Sequence, residues 1–356
     1  MRNFLVALFL VLATPALADF TMVVPQKPGG GTSVWTQIVA RELEKKLGEN
    51  IVIRHITGAR DIPGFNEFHN NLQHDDKTIM VSHGGNAIAF LQEKVEYDFR
   101  DYDSIGLMNL NIYTAIGNSG LMGGGIRFAA GSGMVPEALA MAVYFCEDKA
   151  VNSQDPLVYA DYVKCFEENV LWVKGMSGGE RRLAFRRGEL NATRENPAAF
   201  KKHVMPMIMN KKAVFWFDHG ILDTETGKHI NDPNTSETYS YVDGYFHPAN
   251  EASDFYAAYK LAKSFRDGLQ KALWVRKGNP NTERLRAALR EMANDPESVK
   301  AIQAAVGNYE WKIGNEGNRH RDVIMSLVTE NALKTLVKFN SEVLGLSSVY
   351  KKKLVE

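Results

Sequence analysis

The stretch Pro25-Gln26-Lys27-Pro28-Gly29-Gly30-Gly31-Thr32-Ser33-Val34-Trp35-Thr36-Gln37 places three glycines and two hydroxyls between two ordered segments. The segment before it, Phe20 to Val24, is short, apolar and β-rich. The segment after it carries Val34, Ile38, Val39, Leu43 and Leu47 at helical spacing. Pro28 to Ser33 therefore reads as a strand-to-helix turn, with Thr32 or Ser33 as the helix cap. The N–H groups at a helix start lack intrahelical acceptors and favour an anion. The plain reading is a well-capped βα turn; the functional one is an anion cradle.

The same arrangement recurs. Thr78 to Ser82 reads as a strand running into His83-Gly84-Gly85-Asn86, with a helical segment from Ala87 to Gln92. Ile126 to Ala130 runs into Gly131-Ser132-Gly133 and an apolar helix to Tyr144. Leu171 to Val173 runs into Lys174 to Glu180 and a helix ended by Gly188. In open parallel sheets, ligands bind at the carboxyl ends of strands, in loops of this kind. Repetition within an α/β pattern points to a cleft lined by backbone N–H groups and hydroxyls. Downstream, Ala252 to Phe265 reads as a helix and Leu273 to Val275 as a strand. Thr282 to Met292 and Ser298 to Val306 read as helices, and Arg321 to Phe339 as the longest helical pattern. Asp223 to Tyr241 is polar and turn-rich, a surface excursion.

The N-terminus reads as a secretory signal peptide over residues 1–18: a positive start, an apolar run from Phe4 to Leu12 and an Ala16-Leu17-Ala18 cleavage site. The run is too short for a membrane span. The expected mature chain starts at Asp19, exported and periplasmic. Its length suits two domains. Charge is balanced, 42 basic against 42 acidic residues, which gives no footprint for nucleic acid. Cys146 and Cys165 are the only cysteines. In an exported chain they read as one disulfide, with two buried thiols as the alternative. No histidine stands at ligand spacing beside them, so no metal and no cofactor is expected.

Catalytic sets are missing. No G-x-S-x-G elbow, H-E-x-x-H or Walker pattern occurs. Ser177 lies in a glycine-rich loop, and His219 follows Asp218 at a strand end, but neither has an evident partner. The loop ends carry glycine, serine, threonine and asparagine. That composition suits recognition by hydrogen bonds rather than proton transfer.

Taken together, these segments resemble the solute-binding receptors of tripartite tricarboxylate transporters, the Bug family, over most of the mature chain. Val24 to Arg41 is similar to the family's P-x-G-G-G-T-D loop and helix. Leu47-Gly-Glu-Asn-Ile-Val-Ile53 resembles its L-G-x-x-V-V-V strand, and Thr57-Gly-Ala59 with Gly64 its G-A-G-G segment. Ser82 to Asn86 stands where the family has a G-S-N-like loop, and Tyr97 to Tyr102 resembles its Y-D-x-x-x-D-F. Lys174 to Glu189 resembles its K-G-x-x-E helix, and Arg276 to Pro296 its late L-R…D-P pattern. The resemblance implies an α/β, two-lobed clamshell that holds a small carboxylate through amides, hydroxyls and water. It also implies partners, a large and a small membrane subunit. Three departures stand out. Ser33 replaces the usual aspartate, which leans away from amino-acid ligands. Trp35 and Met134 add bulk near two loops, although Trp35 has core packing as its alternative. An extra segment containing both cysteines, about 146–165, separates the third and fourth loops.

The expectation is a non-enzymatic receptor for a small organic acid. One lobe comprises residues 19–112 with 269–356, and the other 113–268. First-rank ligand contacts are Gly29, Gly30, Gly31, Thr32, Ser33 and Trp35 from one lobe, and Gly131, Ser132, Gly133 and Met134 from the other. Second-rank contacts are Ser82, His83, Gly84, Asn86, Ser177, Gly178 and Glu180, with Arg194 as a charge partner for a second carboxylate. The alternatives are a secreted hydrolase using Ser177 or His219, and a sensor for a membrane kinase.

Overall fold

A computed structural model describes residues 19–355 apart from 30, 59–60, 85–87, 93, 122–124, 130, 154, 177 and 233–251. The signal-peptide reading of residues 1–18, and the site expectations for Gly30, Asn86 and Ser177, lie outside the described residues.

The first half alternates strand and helix. β1 (Phe20–Val24), α1 (Gly31–Leu47), β2 (Ile51–His55), α2 (Ile62–Asn70) and β3 (Thr78–His83) come first, then β4 (Tyr102–Met108). A second group follows with β5 (Tyr113–Gly117), the single turn α3 (Asn118–Leu121), β6 (Ile126–Ala129) and α4 (Val135–Phe145). The cysteine-bearing segment folds as α5 (Glu147–Asn152) and α6 (Tyr159–Asn169). Next come β7 (Val170–Val173), α7 (Gly178–Arg187), β8 (Ala192–Glu195), α8 (Pro197–His203), α9 (Met205–Met209) and β9 (Ala213–Asp218). A small hairpin, β10 (Ile221–Leu222) with β11 (His229–Ile230), precedes α10 (Asp254–Gly268). The chain ends with β12 (Lys271–Arg276), α11 (Thr282–Asn294), α12 (Pro296–Val306), β13 (Trp311–Ile313), α13 (Asn315–Ser326) and α14 (Glu330–Glu342).

The first sheet has the order β13-β4-β12-β3-β1-β2. It is mixed rather than all parallel. β1 pairs parallel with β2 and β3, whereas β12 runs antiparallel to both β3 and β4. The chain crossings account for this. β4 carries the chain out of the sheet at Met108, and β12 brings it back at Lys271, the residue paired with Met108. The second group forms the antiparallel order β8-β5-β9 and a parallel β6–β7 pair. Buried Asn191 joins them. Its N–H donates to the Arg127 carbonyl at 3.2 Å, and its own carbonyl accepts from Gly117 at 2.7 Å.

Two large apolar clusters hold the chain. Phe20, Met22, Trp35, Val39, Leu43, Leu273 and Leu289 fill one between the first sheet and α1, α11 and α12. The other brings together α4, α6, α10 and α14. Here the cysteine-bearing segment is structural. The disulfide Cys146–Cys165 closes it. Tyr162 stacks on Phe255 at 4.6 Å between ring centroids, and Phe166 meets the edge of Phe339 at 5.5 Å.

The long helical pattern from Arg321 to Phe339 is two helices, not one. Thr329 ends the pattern by accepting the Ala332 N–H on its hydroxyl at 3.2 Å, an N-cap that starts α14 afresh.

Candidate functional site

A cavity of about 810 Å³ opens where strand ends of the two groups meet. Gln26, Lys27, Gly31, Thr32, Thr57 and Asp61 line it from the β1–α1 and β2–α2 connections. Gly178, Arg182, Arg194 and Asn196 line it from α7 and β8, and Lys271 from the start of β12. A second cavity of about 730 Å³ lies against α8 and α12, walled by Tyr113, Phe200, Phe215 and Tyr309. The first has the chemistry: two helix starts, hydroxyls and cations converge there.

α1 begins at Gly31, two residues earlier than a cap at Thr32 would place it and three earlier than a cap at Ser33. Both hydroxyls thus lie inside the first turn and are buried, so neither is the N-cap. Thr32 Oγ1 accepts from Lys271 Nζ at 2.8 Å. Ser33 Oγ lies 3.4 Å from His55 Nε2. Gly29 adopts φ +80°, which glycine takes without strain. Trp35 corrects an expectation: it has no exposed surface and packs against Trp311 at 5.7 Å, below the cleft rather than at its mouth.

Ser82 is also a correction. It is fully buried on β3, where its hydroxyl accepts from Trp274 Nε1 at 2.9 Å and lies 3.4 Å from the Leu269 carbonyl. His83 bonds Asp61 Oδ2 at 2.5 Å and contacts the Gln26 amide. Burial holds its imidazole below the ordinary value, and Lys271 and Arg194 add to the effect against Asp61. It faces Asp61 as a neutral ring at pH 7. Gly84 donates its N–H to Gln270 Oε1 at 2.8 Å. A Cβ there would lie 2.2 Å from the Arg266 carbonyl, a backbone atom that cannot swing away. Gly84→Ala is expected to cost about 1–3 kcal/mol of stability; urea unfolding of the variant checks this.

In the third loop, Ser132 to Met134 form one 3₁₀ turn; the Ser132 side chain is outside the described set. The Gly133 carbonyl accepts from Arg194 Nη2 at 2.9 Å and from Arg266 Nη1 at 3.3 Å. Gly131 accepts the Met134 N–H at 2.9 Å. Met134 is buried, with its sulfur 2.8 Å from Arg194 Nε. Gly178 is the first residue of α7 and reaches the cavity, whereas Glu180 is exposed two residues on. His219 is fully buried between Tyr259 at 2.9 Å and Glu137 at 3.3 Å, which removes it from any surface where a substrate ester would dock.

Lys271 was not legible in the sequence. It is 8% exposed and sits opposite His83 in the β12–β3 ladder. Burial lowers its ammonium to about 7. Burial also lowers the Arg194 guanidinium, to about 10, Glu137 opposing and Arg181 reinforcing; it stays cationic at neutral pH. Arg182 is neutralised by a two-pronged contact to Glu195, both arms 2.9 Å.

No family model matches the sequence, and no curated protein does. Solved structures match it over most of its length. The periplasmic binding protein BugD is 15% identical over 92% of this chain and 98% of its own, with a TM-score of 0.53. A TctC solute-binding protein from Polaromonas is 14% identical over 87% of this chain and 97% of its own, with a TM-score of 0.54. An R. palustris protein solved with adipate is 12% identical over 89% of this chain and 97% of its own, with a TM-score of 0.52. The likeness is one of fold: this chain has the α/β, two-lobed fold of the periplasmic binding proteins.

Proposed function

We propose that the chain is an extracytoplasmic receptor of the Bug type, which captures a small organic acid in the cleft and delivers it to the membrane subunits of a tripartite tricarboxylate transporter. The observation that carries this reading is the cleft itself. It combines the start of the 17-residue helix α1, the start of α7, and basic side chains that include Lys271 and Arg194. An anion at a partly buried helix N-terminus gains up to about 2 kcal/mol, and charge-assisted hydrogen bonds add to it. The fold shared with BugD and the TctC protein supports the reading, as does the adipate in the R. palustris structure. On this reading the lobes are residues 19–112 with 269–356, and 113–268; the β4 and β12 crossings are the hinge. The periplasm is the compartment, reached after cleavage at Ala18.

A thermal-shift panel of di- and tricarboxylates, aromatic acids, amino acids and sugars tests the proposal. A true ligand at a hundredfold excess over Kd adds about 2.7 kcal/mol, a rise of a few degrees. A response to sugars alone, with none to any acid, would refute the organic-acid assignment.

A further inference from the structure

We propose that Lys271 and Arg194 are specificity-determining residues, a pair of separate cationic poles that select a small dianion with an acidic group at each end. The inference rests on the organic-acid reading and deepens it. Its basis is how the cations near the cleft are partnered. Arg181 and Arg182 share Glu195, Arg266 holds Glu137, and Lys27, at the cavity lining, is exposed to solvent. Arg194 differs: its bonds go to neutral acceptors, the Gly133 carbonyl and the Met134 sulfur. Among the described residues, no carboxylate lies within 4.0 Å of it or of Lys271. Lys271 is more than nine-tenths buried and donates only to the Thr32 hydroxyl.

A buried cation without a counter-ion costs stability that an incoming anion returns. Lys271 with Thr32 and the α1 start forms one pole; Arg194, on β8 and lining the same cavity, forms the other. The acid that shares the cleft, Asp61, is engaged by His83. An amino-acid ammonium must displace that contact, so the arrangement disfavours it. The mode also differs from a clamp built of amides and water alone: here charge count enters the recognition.

Lys271 stands opposite His83 in the ladder and bonds Thr32, and the charged groups that line the cavity with it are Lys27, Asp61, Arg182 and Arg194. None fixes its proton as a dianion would. Affinity for a dicarboxylate, itself almost fully ionised by neutral pH, then falls as pH rises past the free-lysine titration, by up to about tenfold per unit.

Titration calorimetry on the mature protein decides the matter. The probes are succinate, glutarate and adipate, the monoacids butyrate and hexanoate, and 3-phosphonopropionate. The expected result is a dicarboxylate bound at least about tenfold more tightly than the monoacid of equal length. Lys271→Met and Arg194→Met each weaken the dicarboxylate by at least about thirtyfold. A monoacid responds to only one of the two substitutions. Lys271→Met also flattens the alkaline loss of affinity and leaves the melting point unchanged or raised, which a merely structural lysine would not do. Tighter binding of 3-phosphonopropionate, still dependent on both residues, supports the two poles and assigns a phosphonate to one of them. Equal binding of mono- and diacids, or full affinity in both variants, overturns the dianion proposal and leaves the organic-acid receptor standing. Silence from every acid overturns both.

Discussion

Arg266→Ala is expected to lower the unfolding free energy by about 3–5 kcal/mol, the range for breaking one partner out of a buried ion pair. Arg266 is 1% exposed on α10 and meets Glu137 at 2.5 Å and Asp267 at 2.6 Å. Burial alone would raise the Glu137 carboxyl; Arg266, the His219 bond and Arg194 outweigh it and hold the group well below the carboxylate range. A carboxyl depressed in the folded state contributes stability above its unfolded value, about 4.3, and loses it as pH falls through the folded value. The wild type should therefore weaken in acid, and Arg266→Ala should show a shallower acid loss. Urea unfolding between pH 3 and 7 measures both. Pairing the substitution with Glu137→Gln should restore part of the loss, because the stranded charge is gone. A cost below about 1 kcal/mol at pH 7 would contradict this account.

The second large effect concerns the staple. Cys146→Ser with Cys165→Ser is expected to cost about 3 kcal/mol, the loop-closure entropy of a ring of this size. The bond fixes α5 against α6, and α6 is the helix that places Tyr162 and Phe166 on Phe255 and Phe339. No cleft residue is touched. Ligand affinity of the folded fraction should thus stay constant while the melting point drops. Comparing oxidised protein with protein under a thiol reductant gives the same reading without mutation. An unchanged melting point would mean the aromatic contacts alone hold this segment.

Much of the fold was legible because period and punctuation agree. β1, α1, β3 and α4 each combine an apolar pattern with glycine at the boundary, and local chemistry decides them. What local chemistry could not show is pairing direction. Antiparallel β12 depends on where the chain re-enters the sheet, a fact of topology rather than of Leu273-Trp274-Val275. The candidate site was legible on its backbone side and hidden on its charged side. Lys271 reads as the polar edge of an apolar strand, and its partner Thr32 lies 239 positions away. Trp35 and Ser82 went the other way. Their helix and strand were recognised, but which face turns inward follows from neighbours, Trp311 and Trp274, far along the chain. The break before α14 was hidden too, since apolar spacing continues through Leu327 and Val328 while Thr329 resets the helix.

β12 sits in the interior of the first sheet, between β3 and β4. Those two neighbours are synthesised early, yet the strand that joins them arrives only after residues 109–270. Until then β3 and β4 present unpaired edges, and closing them requires a long loop to have formed first. Such topologies fold late and expose sheet edges on the way. Lys271 arrives with that joining strand. The cleft thus gains its buried lysine in the same step that joins β3 to β4, and only the β13 edge remains to be added.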